Sequence, residues 1–245
     1  MPGKNIQPIC GHPLIAWTIR CARQSSYLDH LLVSTDSKKI AAVARKYGET
    51  VPFLRPSRLS TDQAASVGVI LHALRYLEAL GQSFDWVVLL EPTSPLREPG
   101  DIDAALEILD RSGGAVVSVC RAESVHPQFL YTVSPRRTIR PISGVFPKRL
   151  RRQVLTSCYF PEGTVYASEV KTLQRRRSFY HKDTRALILP KWKALEVDER
   201  CDLILAEAAM RSKLFSPKMK QQKTAKTPLA KKNIRHGYYG LTPRR

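Results

Sequence analysis

Polar residues suited to ligand binding follow three apolar runs in this sequence. The first run ends in VSTD at residues 33–36, the second in LLEPTSPLR at residues 89–97, and the third in Ser118, Cys120 and Arg121. In an open parallel sheet, ligands bind beyond the carboxyl ends of the strands, so residues in these positions are candidates for contact with a substrate. A helix cap is the alternative for the Ser-Thr-Asp sequence that ends the first run.

The second of these segments has an unusual composition for a turn. LLEPTSPLR places two prolines and two hydroxyl side chains directly after an apolar run. Proline fixes the backbone and hydroxyls bond to nearby backbone groups, so we expect a rigid loop. Such a loop is either a preorganised ligand site or a plain turn.

Alternating helical and strand patterns predict the elements that hold these residues in place. Apolar spacing predicts helices within residues 14–22, 40–47, 67–77 and 102–109, and continuous apolar runs predict buried strands at residues 31–33, 51–54, 86–90 and 115–119. Strands that are apolar throughout and alternate with helices are typical of a parallel sheet covered on both faces. The predicted fold is therefore a three-layer α/β/α architecture with a mostly parallel sheet.

The pattern changes after residue 122. Five prolines interrupt an Arg-rich stretch that extends to residue 162, which indicates an excursion from the sheet. Strands are predicted again at residues 163–167 and 186–189. A final helix is predicted from about residue 199 to residue 213, with Asp198 at the position of an N-cap.

One domain with an appended tail accounts for the length of 245 residues. We predict a domain over residues 1–215, which includes the basic excursion at residues 122–162, and a disordered basic tail over residues 216–245. The tail is rich in Lys, Gln, Thr and Pro and has few large apolar residues. Such a segment cannot bury enough surface to offset its chain entropy.

The net charge of +19 is concentrated in three stretches. Residues 217–245 contain nine Lys or Arg, residues 136–152 contain seven, and residues 171–177 contain four. The rest of the chain is near neutral, as an ordinary enzyme core would be. The basic stretches also leave a nucleic-acid-binding function open.

Two features of the composition bear on the cellular compartment. No apolar run reaches about 18 residues and the first residues lack the layout of a signal peptide, so we expect a cytoplasmic protein without membrane spans. The five cysteines are scattered, without a CxxC pair or a histidine at metal-ligand spacing. We therefore expect reduced, mostly buried thiols.

Segments spread over residues 3–212 match one enzyme family in order and spacing. By itself, Gly3-Lys4-Asn5 would indicate only a frayed terminus. The matching segments are GKNIQPICGHPLIAWTI, LLVSTDSKKIAAVARKYG, VPFLRPSRLSTDQAAS, VVLLEPTSPLR, GAVVSVC, GTVYA and ALEVDERCDLILAEA. On these segments the chain resembles the cytidylyltransferases that form CMP-sialic acid and its bacterial relatives, the CMP-N-acylneuraminate synthetases.

The resemblance implies a fold, a reaction and a cofactor. The fold is Rossmann-like, as in the nucleotide-diphospho-sugar transferases. In the reaction, the anomeric hydroxyl of a 2-keto sugar acid attacks the α-phosphate of CTP and releases pyrophosphate, with Mg²⁺ as cofactor. Such a displacement requires positioning and charge neutralisation more than covalent chemistry.

The resemblance also implies nucleotide-binding and catalytic residues. Lys4 and Asn5 match the end of the family's nucleotide loop, and Arg55 and Ser66 match positions that contact the nucleotide. The lysine of that loop contacts phosphate. Lys4 and Asp198 are the catalytic residues that the match predicts.

Glu196 and Asp198 match two metal-binding aspartates of the family in an Asp-x-Asp arrangement. Carboxylates two residues apart in an extended segment point the same way, and their oxygens suit Mg²⁺. The alternative is a helix cap next to a surface acid.

The sugar-binding residues implied by the resemblance come from two segments. Glu91, Thr93 and Ser94 lie in the segment that faces the sugar, and Glu91 stands where most members have glutamine. Arg152 and Gln153 match an Arg-Gln pair that approaches the sugar, often from the partner subunit, so a homodimer is implied. The alternative for Arg152 is one more charge in a solvated Arg-rich stretch.

Two further departures from the family concern the sugar and the phosphates. Phe160-Pro161-Glu162-Gly163 stands where the family has Arg-x-Asn-Gly, so an arginine and an amide are missing. The family also has a strand and a Gly-rich, basic loop ahead of the position of Lys4. We therefore expect a sheet that lacks its first strand and exposes two strand edges. We also expect no detectable turnover unless roughly twenty family-like residues precede Met1.

Three functions remain open on the sequence. The first is a cytidylyltransferase that acts on a sialic, legionaminic, pseudaminic or deoxy-octulosonic acid. The second is a catalytically impaired relative without the nucleotide loop, and the DNA upstream of Met1 distinguishes it from the first. The third is a basic nucleic-acid-binding protein, for which no aromatic-interleaved motif is present.

Overall fold

The structure is a computed structural model of the 245-residue chain. It describes residues 1, 3–61, 65–123, 125–146, 155–212 and 236–241, the last of these as backbone only. Arg152 and Gln153, two of the predicted sugar-binding residues, lie outside the described residues.

The helices follow the apolar stripes of the sequence. They are α1 (Leu14–Gln24), α2 (Lys38–Lys46), α3 (Ser66–Ala79), α4 (Pro99–Ser112), α5 (Val170–Arg176) and α6 (Arg200–Arg211). The strands are β1 (Pro8–Ile9), β2 (His12–Pro13), β3 (His30–Ser34), β4 (Trp86–Leu90), β5 (Ala115–Arg121), β6 (Tyr131–Val133), β7 (Ile139–Pro141), β8 (Tyr159–Glu169), β9 (Thr184–Leu189) and β10 (His236–Leu241).

The main sheet of the described chain contains six strands in the order β3-β10-β4-β8-β5-β9. Its neighbouring pairs are parallel except those of β8, which runs antiparallel to both β4 and β5. The prediction of a mostly parallel sheet is confirmed. Because five of the strands share one direction, their carboxyl ends lie along the same edge, where ligands bind in sheets of this type.

The strand β10 fills the gap between β3 and β4. It pairs in parallel with both, so that Leu241 is opposite Ser34 and Gly240 is opposite Leu90. Here the structure differs from the expectation of two open strand edges, because β10 pairs with both β3 and β4. The reason is non-local: two facing strand edges supply backbone partners that the composition of the tail does not reveal. The other tail residues, 216–235 and 242–245, lie outside the described residues.

Alternate residues of the central strands face two different helical layers. Val88 and Leu90 pack in a cluster with α1 and α4, whereas Val87 and Leu89 pack in a cluster with α3 and α5. Strand residues alternate between faces, so the sheet is covered on both sides. The predicted three-layer α/β/α architecture is confirmed.

A smaller cluster packs α6 beneath the loop that follows β4. It joins Ile9 and Leu14 to Leu96, Val197 and Met210, all of them buried. The cluster therefore brings the start of the chain, the LLEPTSPLR loop and the segment before α6 together.

Some element boundaries differ from the predictions. Residues 51–54 do not form a strand, because only isolated bridges join Thr50 to Leu32 and Leu54 to Thr35. The excursion contains the β6–β7 hairpin, which pairs apart from the main sheet. Within the described residues, no helix has the length and apolar character that a membrane crossing requires.

Candidate active site

A buried arginine fixes the loop that follows β4. Arg97 is 4% exposed, and its guanidinium donates hydrogen bonds to the backbone oxygens of Glu91 (2.7 Å), Thr164 (2.5 Å) and Gly163 (3.2 Å) and to Oγ1 of Thr18 (3.0 Å). A planar guanidinium with several bonds holds its partners in one geometry. The backbone that carries Glu91 is therefore tied to β8 and to α1.

Three side-chain oxygens converge on the position where Gly163 lacks a side chain. A Cβ atom there would lie 2.8 Å from Oγ of Ser94, 2.9 Å from Oε1 of Glu196 and 3.0 Å from Oε2 of Glu91. The backbone N–H of Gly163 donates to the same Glu196 oxygen at 2.6 Å. A side chain at residue 163 would force these neighbouring side chains to shift, because real Cβ atoms essentially never approach other atoms this closely.

Burial and neighbouring carboxylates together set the electrostatics of this cluster. Burial, followed by the neighbouring carboxylate of Glu196, raises the pKa of Glu91 to about 7. Arg97, Lys4 and Asp198 also act on the Glu91 carboxyl, the two cations lowering its pKa and Asp198 raising it. Like charges that cannot all be solvated raise a carboxyl pKa in this way.

The segment from Glu196 to Asp198 lies against the LLEPTSPLR loop. The N–H of Val197 donates to the backbone oxygen of Thr93 at 2.8 Å. Glu196, which precedes Val197, accepts a hydrogen bond from the N–H of Gly163 at 2.6 Å. Asp198, which follows Val197, accepts one from Nζ of Lys4 at 2.7 Å. The structure therefore brings the predicted metal and catalytic residues together with the loop that contains Glu91, Thr93 and Ser94.

Asp198 is not the cap of α6. Glu199 is the N-cap, and Asp202 forms a capping box with it by accepting from the N–H groups of Glu199 (2.8 Å) and Asp198 (3.0 Å). Because the cap is supplied by Glu199 and Asp202, the Asp198 carboxylate is free for Lys4. The position that the sequence suggested for the N-cap was wrong by one residue.

The residues at the start of the chain that are predicted to bind the nucleotide form a short 3-10 helix. This helix spans Lys4–Ile6 and follows Gly3, which adopts a left-handed conformation with φ of 66°. Asn5 is 1% exposed, and its Oδ1 has no hydrogen-bond partner among the described residues. A buried acceptor without a partner is rare in folded proteins, so this atom is a candidate for contact with a ligand.

Arg55 lies at the carboxyl end of β3. Its guanidinium donates to Oδ1 of Asp36 at 3.3 Å and to Oγ of Ser60 at 3.0 Å, and its N–H donates to the backbone oxygen of Thr35 at 2.8 Å. Asp36 is the last residue of the predicted VSTD segment, which lies at the carboxyl end of β3. The Ser-Thr-Asp sequence therefore anchors Arg55, while Ser37 is the residue that caps α2.

Ser66 is the first residue of α3 and is half-buried. No described hydrogen bond joins it to Arg55 or to the cluster around Gly163. Its predicted contact with the nucleotide remains a prediction.

Sequence reasoning missed two residues that build the site. Arg97 ends the LLEPTSPLR segment and Gly163 follows Glu162 in β8, and both organise the loop around Glu91. A glycine inside an apolar strand pattern was the available signal for close approach.

A histidine also lies near a cysteine, because Nε2 of His126 is 3.2 Å from Sγ of Cys158.

The cysteines are free, as expected, but they are less buried than expected. Cys21 and Cys120 are buried, Cys10 and Cys158 are half-buried, and Cys201 is exposed. The Cys158–His126 contact lines a cavity of about 330 Å³ beside the end of β5.

The donor set of Glu196 and Asp198 suits Mg²⁺. Among the described residues no group of three or more His, Cys, Asp or Glu side chains is arranged to enclose a metal ion. Mg²⁺ is commonly held by one or two carboxylates together with substrate phosphates and water, so a pair of carboxylates is sufficient. These residues fit the ion in number and chemistry.

The chain is similar to known proteins over most of its length. Residues 1–138 match the family model described as cytidylyltransferase. The chain is 35% identical over 216 residues to the CMP-N,N'-diacetyllegionaminic acid synthase of Legionella pneumophila, covering 86% of this chain and 90% of that protein. It is 27% identical to the pseudaminic acid cytidylyltransferase of Campylobacter jejuni, covering 84% and 89%.

A solved structure has a similar fold. It is a CMP:2-keto-3-deoxy-manno-octonic acid synthetase complexed with CTP, which superposes with a TM-score of 0.62 at 18% identity and covers 86% of this chain and 92% of that one. At this identity the likeness concerns the fold alone.

Proposed function

This chain belongs to the cytidylyltransferase family, and we propose that it transfers CMP from CTP to the anomeric hydroxyl of a sialic-acid-type nonulosonic acid with release of pyrophosphate. The observation that carries this proposal is the meeting of Lys4, Glu91, Glu196 and Asp198. These residues come from three segments that are far apart in sequence, yet Lys4 pairs with Asp198, and Glu196 and Glu91 both approach Gly163.

The proposed mechanism assigns separate tasks to the two ends of this site. Lys4 supplies a positive charge at the carboxyl edge of the sheet, where it neutralises negative charge on the phosphates of CTP. Arg55 and Asn5 lie on the nucleotide side and contribute a buried cation and a buried amide. Preorganised donors of this kind stabilise the charge that develops during displacement.

The sugar acid lies on the side of Glu91, Thr93 and Ser94 in this proposal. Arg97 holds the Glu91 backbone in place, and Gly163, which has no side chain, allows Ser94 and Glu196 to approach the backbone closely. The rigid loop positions the anomeric hydroxyl for attack on the α-phosphate. Positioning is the main contribution that a protein can make to such a displacement.

Mg²⁺ is the proposed cofactor. Glu196 and Asp198 would hold it, and when bound it would neutralise charge on the triphosphate. Lys4 would then exchange its contact with Asp198 for contact with phosphate.

A homodimer is part of the proposal, and the excursion is its proposed interface. Exposed apolar side chains are concentrated there: Leu130, Val133, Ile139, Ile142, Val145 and Phe146, with Val145 exposed by 71% and Val133 by 67%. Apolar patches of this type are typical of protein interfaces. Arg152 and Gln153 belong to the same excursion. A cytoplasmic location, where CTP is available, completes the proposal.

Pyrophosphate release tests this function. We would assay the 245-residue chain with CTP, Mg²⁺ and a panel of nonulosonic acids, alongside the same chain preceded by a family-like strand and Gly-rich loop. We expect release that depends on the sugar acid and on Mg²⁺ from at least one of the two proteins. Silence from both well-folded proteins with every sugar acid would reject the function and favour an impaired relative.

A further inference from the structure

A cysteine and a histidine meet where the excursion leaves and rejoins the sheet. The N–H of Ala122, directly after β5, donates to the backbone oxygen of Cys158, directly before β8, at 2.8 Å. At this point Sγ of Cys158 lies 3.2 Å from Nε2 of His126. Neither side chain is part of the proposed active site, so the contact calls for an explanation of its own.

The tautomer of His126 follows from its other hydrogen bonds. The backbone N–H of Gln128 donates to Nδ1 of His126 at 3.2 Å, so Nδ1 carries no proton in the neutral ring. Nε2 therefore carries the proton, and it lies 3.0 Å from the backbone oxygen of Thr156 as well as beside Cys158. The histidine is 8% exposed, and its ring packs edge-on against Phe129. The sulfur of Cys158 thus faces an N–H donor that is held in place.

A fixed N–H donor favours reaction at the sulfur. A cysteine attacks electrophiles as the thiolate, and hydrogen bonds to a charged acceptor are about twice as strong as those between neutral groups. As a thiol, Cys158 donates to the backbone oxygen of Thr156 at 3.6 Å. As a thiolate, it accepts from Nε2 of His126. The hydrogen bond to the histidine therefore strengthens when the sulfur becomes nucleophilic.

The other four cysteines have surroundings that disfavour the thiolate. Burial raises the pKa of Cys21 to about 12 and that of Cys120 to about 11. Desolvation, followed by neighbouring carboxylates, raises the pKa of both Cys10 and Cys201. Cys201 is the one exposed cysteine, whereas Cys158 is half-buried. Exposure alone therefore predicts that Cys201 reacts first, and the local chemistry predicts Cys158.

A cavity beside Cys158 admits a reagent of limited size. Its volume is about 330 Å³, which is within the range of small-molecule sites. Its wall contains Arg121, whereas the acid on that wall, Glu123, pairs with Lys191 at 3.7 Å. Because the charge of Glu123 is offset, the cavity favours a negatively charged reagent.

We propose that Cys158 is a modification site, assisted by His126, that forms a mixed disulfide with a small anionic disulfide. Sγ of Cys158 attacks one sulfur of the reagent, a new S–S bond forms as the original one breaks, and the second half leaves as a thiolate. The proton of Cys158 passes through water to that thiolate. The cysteine sulfur is oxidised and the departing sulfur is reduced, so the disulfide itself is the oxidant. This modification does not depend on cytidylyl transfer.

Alkylation tests the reactivity of the thiol. The 245-residue chain is treated with iodoacetamide at about pH 7.5, and mass spectrometry of peptides follows the labelling rate at each cysteine. We expect Cys158 to be labelled at least about 10-fold faster than the more exposed Cys201. Equal rates, or faster labelling of Cys201, would overturn the proposal.

His126→Asn separates the N–H donor from the local fold. Asparagine retains a side-chain oxygen that can accept from the Gln128 N–H, as His126 does at the start of its 3-10 helix, but has no N–H at the position of Nε2. We expect labelling of Cys158 to slow at least about 5-fold while that of Cys201 is unchanged. An unchanged rate at Cys158 would exclude a role for the histidine. If the variant does not fold, the comparison of the two cysteines in the wild type still decides the proposal.

Two disulfides of opposite charge test the choice of reagent. Glutathione disulfide is an anion and cystamine a dication. The rate of each at Cys158 is divided by its rate with the same cysteine in the unfolded chain, which corrects for the reagent's own reactivity. We expect the corrected rate to be at least about 3-fold higher for glutathione disulfide, Arg121→Gln to remove that preference, and dithiothreitol to reverse the modification. No reaction with glutathione disulfide, or a higher corrected rate with cystamine, would exclude an anionic disulfide.

Discussion

Nζ of Lys4 lies 2.7 Å from Oδ1 of Asp198, in an ion pair between residues 194 positions apart. The lysine side chain is 13% exposed and the aspartate side chain 64% exposed. An ion pair that is open to solvent on one side contributes little to stability. The pair is therefore better explained by its position beside Glu91 and Glu196 than by a stabilising role.

Asp198→Asn should abolish turnover without unfolding the protein. We expect pyrophosphate release to fall at least about 10²-fold because a proposed metal ligand and the partner of Lys4 are lost. The thermal midpoint should move by less than about 2 °C, since the carboxylate is exposed. Asp198→Asn and the unmutated protein are compared in whichever form releases pyrophosphate, the 245-residue chain or the chain preceded by the added strand and loop.

Asp202→Asn is the matched control for Asp198. It removes a carboxylate four residues away that caps α6, so the free energy of unfolding should fall by about 1 kcal/mol and the midpoint by about 2–4 °C. Activity should fall much less than in Asp198→Asn. Equal activity losses in the two variants would argue against a chemical role for Asp198.

Replacing Glu91 with glutamine should stabilise the protein at high pH. In the folded protein the pKa of this carboxyl is raised from 4.5 to about 7, so the folded state binds the proton more tightly than the unfolded state does. The free energy of unfolding of the wild type therefore falls as the pH rises between these two values, and the full cost is present above pH 7. In EDTA, Glu91→Gln should exceed the wild type by about 1–3 kcal/mol at about pH 8 and match it at about pH 4.

Denaturant titrations across this pH range measure that difference. Glu107→Gln, which lies outside the cluster, serves as the control and should give no such trend. A stability gap for Glu91→Gln that does not change with pH would mean that the carboxyl has its ordinary pKa.

Gly163→Ala should disrupt the site by steric contact. The added Cβ would come within 3.0 Å of side-chain oxygens of Ser94, Glu196 and Glu91, so these side chains must shift. We expect a loss of about 1–3 kcal/mol in stability and at least about a 10-fold loss in kcat/KM.

Gly100→Ala provides the comparison in the same protein. Gly100 lies in the first turn of α4 with nothing within 4 Å of its Cβ position. Alanine there should be neutral or stabilise by about 0.5–1 kcal/mol. Unchanged activity in Gly163→Ala would show that the space beside Ser94 is not used by the substrate.

Tyr239→Pro should loosen the centre of the sheet. Proline removes a backbone N–H from β10, which pairs on both sides with β3 and β4. We expect faster amide hydrogen exchange in β3 and β4 and a thermal midpoint lowered by several degrees. Exchange is followed by mass spectrometry of peptic fragments.

A proline at Lys231, outside β10, is the control for the tail. It should leave exchange in β3 and β4 unchanged. If Tyr239→Pro behaves in the same way, β10 does not hold these strands in solution.

The sequence predicted most of the fold because the patterns were local. Burial can be predicted within a few residues from an apolar run, as in β4 and β5, or from apolar residues at helical spacing, as in α3 and α4. The strand β10 was not predicted, because its pairing depends on two edges that are supplied by distant segments. Residues 51–54 were predicted as a strand but form none, since this apolar run pairs with its neighbour only through isolated bridges.

Residue types in the site were predictable, but their contacts were not. The family pattern indicated Lys4, Glu91, Glu196 and Asp198, and the structure brings them together. The role of Arg97 depends on oxygens from three separate segments, which no local pattern specifies. The raised pKa of Glu91 likewise depends on burial and on a carboxylate about 100 residues away.

The position of β10 also sets the order in which this protein can mature on the ribosome. β3 and β4 are synthesised well before β10, which follows β3 by about 200 residues. During translation the two strands emerge with open edges facing each other, and open edges are the sites where nascent chains associate wrongly. The centre of the sheet closes only through contacts of very long sequence separation, which are slow to form. Chaperone demand should therefore be highest late in synthesis, and a bulky fusion partner attached after Leu241 should reduce the yield of folded protein more than one attached ahead of Met1.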